Sequence, residues 1–196
     1  MFRLSQYMQE LVKPTEAGPR RDLPGPVVIW NLIRRCNLTC KMCGIWRYGN
    51  EKEELSLDQI EEMAARMARL GVVQLSIGGG EPYAVSYIEE AARIFVEHGL
   101  NTRVLTNGIG QGNGRNVVAG KRYIDRVDKT IDYGVKAFSI SLDSLYPARF
   151  DYICENEGAW DEAVRTITHI GKRLHGVPGA LPSINCVVSN LNLEEL

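Results

Sequence analysis

Residues 27–43 read VVIWNLIRRCNLTCKMC. The mainly apolar run Val27–Ile33 is followed at once by a polar loop that carries three cysteines within eight positions. A short apolar run of this kind is typical of a strand that is buried on both faces. A loop directly after such a strand lies at its carboxyl end, which is where α/β proteins build their functional sites.

The same unit of apolar strand, polar or glycine-rich loop and amphipathic helix recurs along the chain. The first predicted helix opens with Ser56 and Gln59 in capping-box spacing, and the second opens with Ser86 and Glu89 in the same spacing. Two more helices are predicted near residues 121–133 and 159–174. The predicted strands are Val27–Ile33, Val72–Ile77, Thr102–Leu105, Ala137–Leu142 and Ser183–Val188.

This alternation predicts an α/β fold with a parallel sheet and right-handed crossovers. On pattern alone, a partial barrel and an open doubly wound sheet are both compatible with it. Residues 1–26 differ from the rest, because a short helical pattern is followed there by a Pro/Gly-rich connector. We therefore divide the chain into an N-terminal segment, 1–26, and a core, 27–196.

The end of the chain carries the signals of a new helix. Asn192 suits an N-cap and Glu195 stands in capping-box position. We therefore expect the core to be C-terminally incomplete, truncated after the fifth strand.

Composition excludes several classes of function. The chain has 23 Lys and Arg against 24 Asp and Glu, so there is no basic excess of the kind that nucleic-acid binding needs. No apolar run approaches the roughly 20 residues that span a bilayer, and the N-terminus lacks the apolar core of a signal peptide. We expect a cytoplasmic protein that binds neither nucleic acid nor a membrane.

Polar residues follow the predicted strands wherever a strand ends. Gly78-Gly79-Gly80-Glu81-Pro82 follows the second strand and Thr106-Asn107-Gly108 the third, and the fourth strand carries Ser141-Leu142-Asp143-Ser144 at its end. If the sheet is parallel, these segments and the cysteine loop share one rim.

The cysteines indicate a metal centre. Cys36, Cys40 and Cys43 place three thiolates in one loop, and iron–sulfur clusters are commonly held by four, so one iron would stay open. The alternative is a zinc-stabilised, non-catalytic binding module, but structural zinc usually takes four Cys/His ligands. Cys154 and Cys186 stand alone, and we expect both to be small buried residues.

Cys-x-x-x-Cys-x-x-Cys after the first strand, with Gly-Gly-Glu-Pro after the second, resembles the radical S-adenosylmethionine (radical SAM) superfamily from Val27 to the C-terminus. The resemblance implies a partial, six-stranded βα barrel and a 4Fe–4S cluster whose open iron binds S-adenosylmethionine. It implies an anaerobic enzyme in which reductive cleavage yields a 5′-deoxyadenosyl radical that abstracts hydrogen from a substrate. An electron donor such as flavodoxin or ferredoxin is implied as a partner.

The resemblance also assigns the cofactor-binding residues, and it identifies no catalytic residue beyond the cluster. Met42 and Val188 would contact adenine, the latter from the fifth strand. Ser141 would hydrogen-bond the cofactor with Asp143 close by. Gly79, Gly80 and Glu81 would line the methionine end of the cofactor. Thr106 and Asn107 would face the cofactor or the substrate.

The N-terminal segment resembles enzymes that modify haem precursors or mature ribosomal peptides, which often carry auxiliary clusters of the SPASM type. A small tetrapyrrole or a peptide is therefore the expected substrate.

Overall fold

The computed structural model describes residues 25–110 and 123–195. The predicted N-terminal helix lies outside these residues, as do the predicted start of the third helix and the end of the chain. None of the helices in the described ranges is long and apolar enough to cross a membrane.

The elements alternate as predicted. They are, in chain order, β1 (Val27–Ile33), α1 (Leu57–Arg69), β2 (Gln74–Gly79), α2 (Ile88–Glu97), β3 (Asn101–Thr106), α3 (Tyr123–Asp132), β4 (Ala137–Ser141), α4 (Pro147–Cys154), α5 (Ala159–Leu174) and β5 (Leu181–Asn185). Within the described residues these strands form one sheet in the order β1-β2-β3-β4-β5, and every neighbouring pair is parallel. The prediction of an α/β fold with a parallel sheet is confirmed, and the segments after the strands share one rim.

The second strand is shifted from its predicted position at Val72–Ile77. It begins at Gln74 and continues through two glycines that look like loop residues in the sequence, because Gly78 and Gly79 pair with Asn31 and Ile33 of β1. Pairing with β1 thus extends β2 through two residues whose own propensity would end the strand.

The fifth strand is also displaced. It covers Leu181–Asn185 instead of Ser183–Val188 and includes Pro182, which has no N–H to donate. Proline is tolerated there because, among the described strands, β5 pairs only with β4. Val188 therefore lies three residues past the strand that was predicted to contain it.

Of the two predicted capping boxes, the one at the start of α1 is confirmed and the one at the start of α2 is wrong. Ser56 accepts a hydrogen bond from the Gln59 N–H, and the Gln59 side chain accepts one from the Ser56 N–H, so the capping box of α1 is confirmed. The capping box predicted at Ser86 is wrong. Helix α2 begins at Ile88 after Tyr87, which makes no side-chain cap, and Glu89 turns into the core.

Helix α4 was not predicted. Its sequence signal is Pro147 in the first turn, a position where the missing N–H costs nothing. Its end is marked by Glu155, which adopts a left-handed conformation with φ of 54°.

The end of the described chain is a 3-10 turn over Leu193–Glu195. The expected helix cap is not made there. The Asn192 side chain donates to the Asp143 and Val187 carbonyls, and the Glu195 carboxylate accepts from Ser144. These side chains therefore tie the end of the described chain to the loop after β4.

The two faces of the sheet have different surroundings. On one face, Ile77, Val104 and Phe138 pack with apolar residues of α1, α2, α3 and α5 to form the main core. The strand register places Ser76, Arg103 and other polar residues on the opposite face.

Candidate functional site

The cysteine loop is held to the scaffold by backbone hydrogen bonds on both sides. The Gly80 N–H donates to the Ile33 carbonyl and the Glu81 N–H donates to the Arg35 carbonyl, each at 2.8 Å. The Lys41 N–H donates to the Ile153 carbonyl of α4 at 2.9 Å. The loop is therefore anchored between the end of β2 and the helix that sequence reasoning missed.

The three cysteines have different environments. Cys36 and Cys40 are half-buried, and Cys43 is exposed. The Cys36 sulfur accepts a hydrogen bond from the Leu38 N–H at 3.5 Å, and burial raises the pKa of its thiol to about 12. The Cys154 thiol donates a hydrogen bond to the Cys40 sulfur, an interaction that lowers the Cys40 pKa.

The two remaining cysteines were predicted to be buried. Cys154 is buried beneath the loop, so that prediction is confirmed. Cys186 is exposed, which makes the prediction wrong for this residue. The reason is the displacement of β5, because Cys186 follows the last strand residue, Asn185, instead of lying inside the strand.

The donor set of the loop suits an iron–sulfur cluster. Three thiols with a backbone N–H directed at one sulfur match the ligand chemistry and the sulfur hydrogen bonding of such clusters. Among residues 25–110 and 123–195, no three His, Cys, Asp or Glu side chains are gathered closely enough to hold a metal ion. In this structure the three cysteines share a loop without converging on one point.

Two glycines form a cradle where β2 meets the cysteine loop. A Cβ at Gly79, whose φ is +117°, would lie 2.0 Å from the Ile33 oxygen. A Cβ at Gly80 would lie 1.9 Å from the Arg35 oxygen. Only glycine lets the two backbones approach this closely. The predicted place of these glycines at the methionine end of the cofactor stays a prediction.

Glu81 faces inward and is only 1% exposed. Its carboxylate accepts from the Thr106 hydroxyl and the Asn107 N–H, both at 2.8 Å, and from the Tyr83 N–H at 3.0 Å. Burial raises the pKa of this carboxyl to about 7, although the three donors act to lower it. Glu81 thus joins the carboxyl ends of β2 and β3.

An amide pair joins the loop after β3 to the cysteine loop. The Asn107 amide donates to the Asn37 side-chain oxygen at 2.8 Å and comes within 4.0 Å of the Cys36 sulfur. The Asn37 amide in turn donates to the Ile109 carbonyl at 2.7 Å. Sequence reasoning missed Asn37, whose only signal is a polar residue directly after the first cysteine.

The remaining predicted residues lie around the same rim with differing exposure. Ser141, the last residue of β4, and Met42, in the cysteine loop, are both half-buried. Asp143 is buried, and its carboxylate accepts from the Val187 N–H at 2.8 Å while burial raises its pKa. Val188 is 55% exposed. Their contacts with a cofactor stay predictions.

A buried ion pair supports the segment that follows Glu81. The Arg126 guanidinium of α3 donates to both carboxylate oxygens of Glu89, at 2.7 and 2.8 Å. It also donates to the carbonyls of Tyr83 and Val85. Because Arg126 and Glu89 are both almost fully buried, this pair fixes the Glu-Pro-Tyr segment to the helices below it.

We expect Arg126→Met to lower the free energy of unfolding by about 3–5 kcal/mol, because it removes the cation that pairs with the buried Glu89 carboxylate. Urea unfolding under nitrogen measures this change. Arg93→Met is the control, because Arg93 pairs with Glu90 and Glu97 at the surface, where such pairs contribute about 0–1 kcal/mol. Equal stability of the Arg126 variant and the wild type would contradict the role given to this pair.

Comparison with known proteins finds curated relatives of this chain. The chain is 32% identical over 175 residues to pre-heme d1 synthase of Dinoroseobacter shibae, covering 88% of this chain and 40% of that protein. It is 28% identical over 154 residues to PqqA peptide cyclase of Rhizobium meliloti, covering 77% of this chain and 38% of that protein. The chain therefore spans about two fifths of the length of these curated relatives.

The fold is similar to that of a solved structure. The crystal structure of Streptococcus suis SuiB bound to S-adenosylmethionine superposes with a TM-score of 0.61 at 17% identity, over 85% of this chain and 33% of that one. Residues 30–194 match the Radical SAM superfamily, a span that includes all three cysteines of the loop and the Gly-Gly-Glu rim. This chain belongs to the Radical SAM superfamily.

Proposed function

We propose that this chain is the core of a radical SAM enzyme that acts on a tetrapyrrole of the haem-precursor class. The observation that carries the enzymatic part is the contact of the Gly79–Glu81 rim with the end of β1 and the start of the cysteine loop, made through one backbone hydrogen bond to each. The tetrapyrrole part is supported by the 32% identity with pre-heme d1 synthase over most of the chain. The superfamily match favours a radical SAM enzyme over a zinc-stabilised binding module, whatever the substrate.

The residues of the chain have distinct tasks in this proposal. Cys36, Cys40 and Cys43 would hold the 4Fe–4S cluster, which with bound S-adenosylmethionine supplies a 5′-deoxyadenosyl radical. Glu81 and Asn107 keep the ends of β2 and β3 in place beside the loop through the hydrogen bonds described above.

An apolar cluster formed by Leu38, Ile109, Leu142 and Phe150 lies beneath the loop and excludes water from that side. A closed site of this kind limits the side reactions of a reactive intermediate. A flavodoxin or ferredoxin would supply the electron that reduces the cluster.

The decisive experiment is S-adenosylmethionine cleavage by the anaerobically reconstituted protein. After reduction with dithionite, we expect 5′-deoxyadenosine and methionine to form slowly without substrate and faster when iron coproporphyrin III is added. Chromatography of the products measures both rates. An intact, reduced cluster that yields no 5′-deoxyadenosine would contradict the enzymatic proposal.

A peptide is the second candidate substrate. It is favoured by the 28% identity with PqqA peptide cyclase. If coproporphyrin leaves the cleavage rate unchanged and a candidate precursor peptide raises it, the tetrapyrrole proposal fails and the peptide proposal takes its place.

A further inference from the structure

The face of the sheet opposite the main core carries an arginine among polar residues. Arg103 of β3 lies in register with Ser76 of β2 and Ala137 of β4. Two residues further along the strands, towards the rim, the same face carries Asn31 of β1, Leu105 of β3 and Ser139 of β4. The strands β1–β5 contain no Asp or Glu, so none of them offers Arg103 a counter-ion.

The Arg103 guanidinium is short of partners within the described residues. Its Nε is buried and has no hydrogen-bond partner there. The other deeply placed arginines behave differently, because Arg126 pairs with Glu89 and Arg35 pairs with Glu54. A buried donor without a protein partner is costly, so such a group takes its partner from a water molecule or from a bound ligand.

Arg103 shares its face with the rim that holds the cysteine loop. Leu105 and Asn107 follow it at the two-residue spacing of one strand face, and Asn107 contacts the loop. Four residues of strand place Arg103 about 13 Å below Asn107.

Gly78 of β2 lies on this face and leaves room for the Leu105 side chain, because a Cβ at Gly78 would lie 3.0 Å from it. An extended ligand about 13 Å long that lies along this face would reach from the rim to the guanidinium.

We propose that Arg103 binds a carboxylate of the substrate on this open face of the sheet. The inference rests on the proposed function, since it concerns the substrate of the same site. A guanidinium matches a carboxylate through two parallel N–H···O bonds, and in a half-buried place such a pair is stronger than at the surface. A haem-precursor tetrapyrrole carries carboxylates at its periphery, away from a carbon that reacts at the rim.

The test measures binding of coproporphyrin III, a tetracarboxylate, to the cluster-loaded protein by absorbance titration under nitrogen. The wild type should bind the acid at least tenfold more tightly than the tetra-amide, in which neutral amides replace the carboxylates. Arg103→Gln should weaken binding of the acid about tenfold or more and leave binding of the amide unchanged. The affinity of Arg103→Lys for the acid should lie between those of the wild type and Arg103→Gln, because lysine keeps the positive charge and loses the paired donors.

Arg69→Gln is the matched control, because it removes the same charge from an exposed position on α1 and should bind like the wild type. Iron content and unfolding temperature of each variant show that it is folded. If Arg103→Gln does not fold, the comparison of acid with amide in the wild type and in Arg103→Lys carries the test.

Equal affinities for acid and amide, or an unaffected Arg103→Gln, would overturn the proposal. Because binding needs no S-adenosylmethionine cleavage, a protein that binds the acid through Arg103 but cleaves nothing would contradict the proposed function alone.

Discussion

Iron incorporation is expected to be abolished by alanine at any one of Cys36, Cys40 and Cys43. Each substitution leaves two protein thiolates in the loop, and two are too few to retain a cluster that is commonly held by four ligands. Iron and sulfide content after anaerobic reconstitution measures the effect, together with the loss of the brown absorbance.

Cys186→Ala is the control for this series, because Cys186 is exposed and lies outside the loop. Cys154→Ala is the more demanding comparison. Cys154 hydrogen-bonds to Cys40 from below but belongs to α4, and we expect its removal to leave the iron content unchanged. If Cys154→Ala loses as much iron as Cys36→Ala, the assignment of the three ligands is wrong.

Gly80→Val is expected to eliminate both cluster binding and S-adenosylmethionine cleavage. The Cβ alone would lie 1.9 Å from the Arg35 oxygen and 2.5 Å from the Arg35 carbonyl carbon, so the start of the cysteine loop must move. Sequence reasoning would expect valine here to fill the space beside the methionine end of the cofactor. The structure adds that the first obstacle is the backbone next to Cys36.

Iron content and the rate of 5′-deoxyadenosine formation test this prediction together. Gly171→Ala is the matched control, because a Cβ at that helical position meets nothing within 4 Å and should leave both quantities at the wild-type level. A Gly80→Val protein with normal iron content and no cleavage would place the effect at the cofactor instead of the loop. Normal values for both would show that the close contact is relieved at no cost.

The sequence predicts well where the determinants are local. The capping box of α1 needs only Ser56 and Gln59, three residues apart, and it forms as predicted. The limits of β2 and β5 were less accurate, because pairing with β1 carries β2 through Gly78 and Gly79 and pairing with β4 allows Pro182 inside β5. The limits of a strand depend on its neighbours, and single-strand propensity does not contain that information.

Sequence alone determined the parallel α/β architecture, the three-cysteine loop and its place after the first strand, because hydrophobic period and motif spacing are properties of short segments. Tertiary structure alone decided that Glu81 turns inward to Thr106 and Asn107, that Arg126 reaches Glu89, and that Cys40 faces Cys154. These contacts join residues that are far apart in the chain. Their partners are chosen by the packing of whole strands and helices, and the free energy of burying each polar group depends on which partner that packing provides.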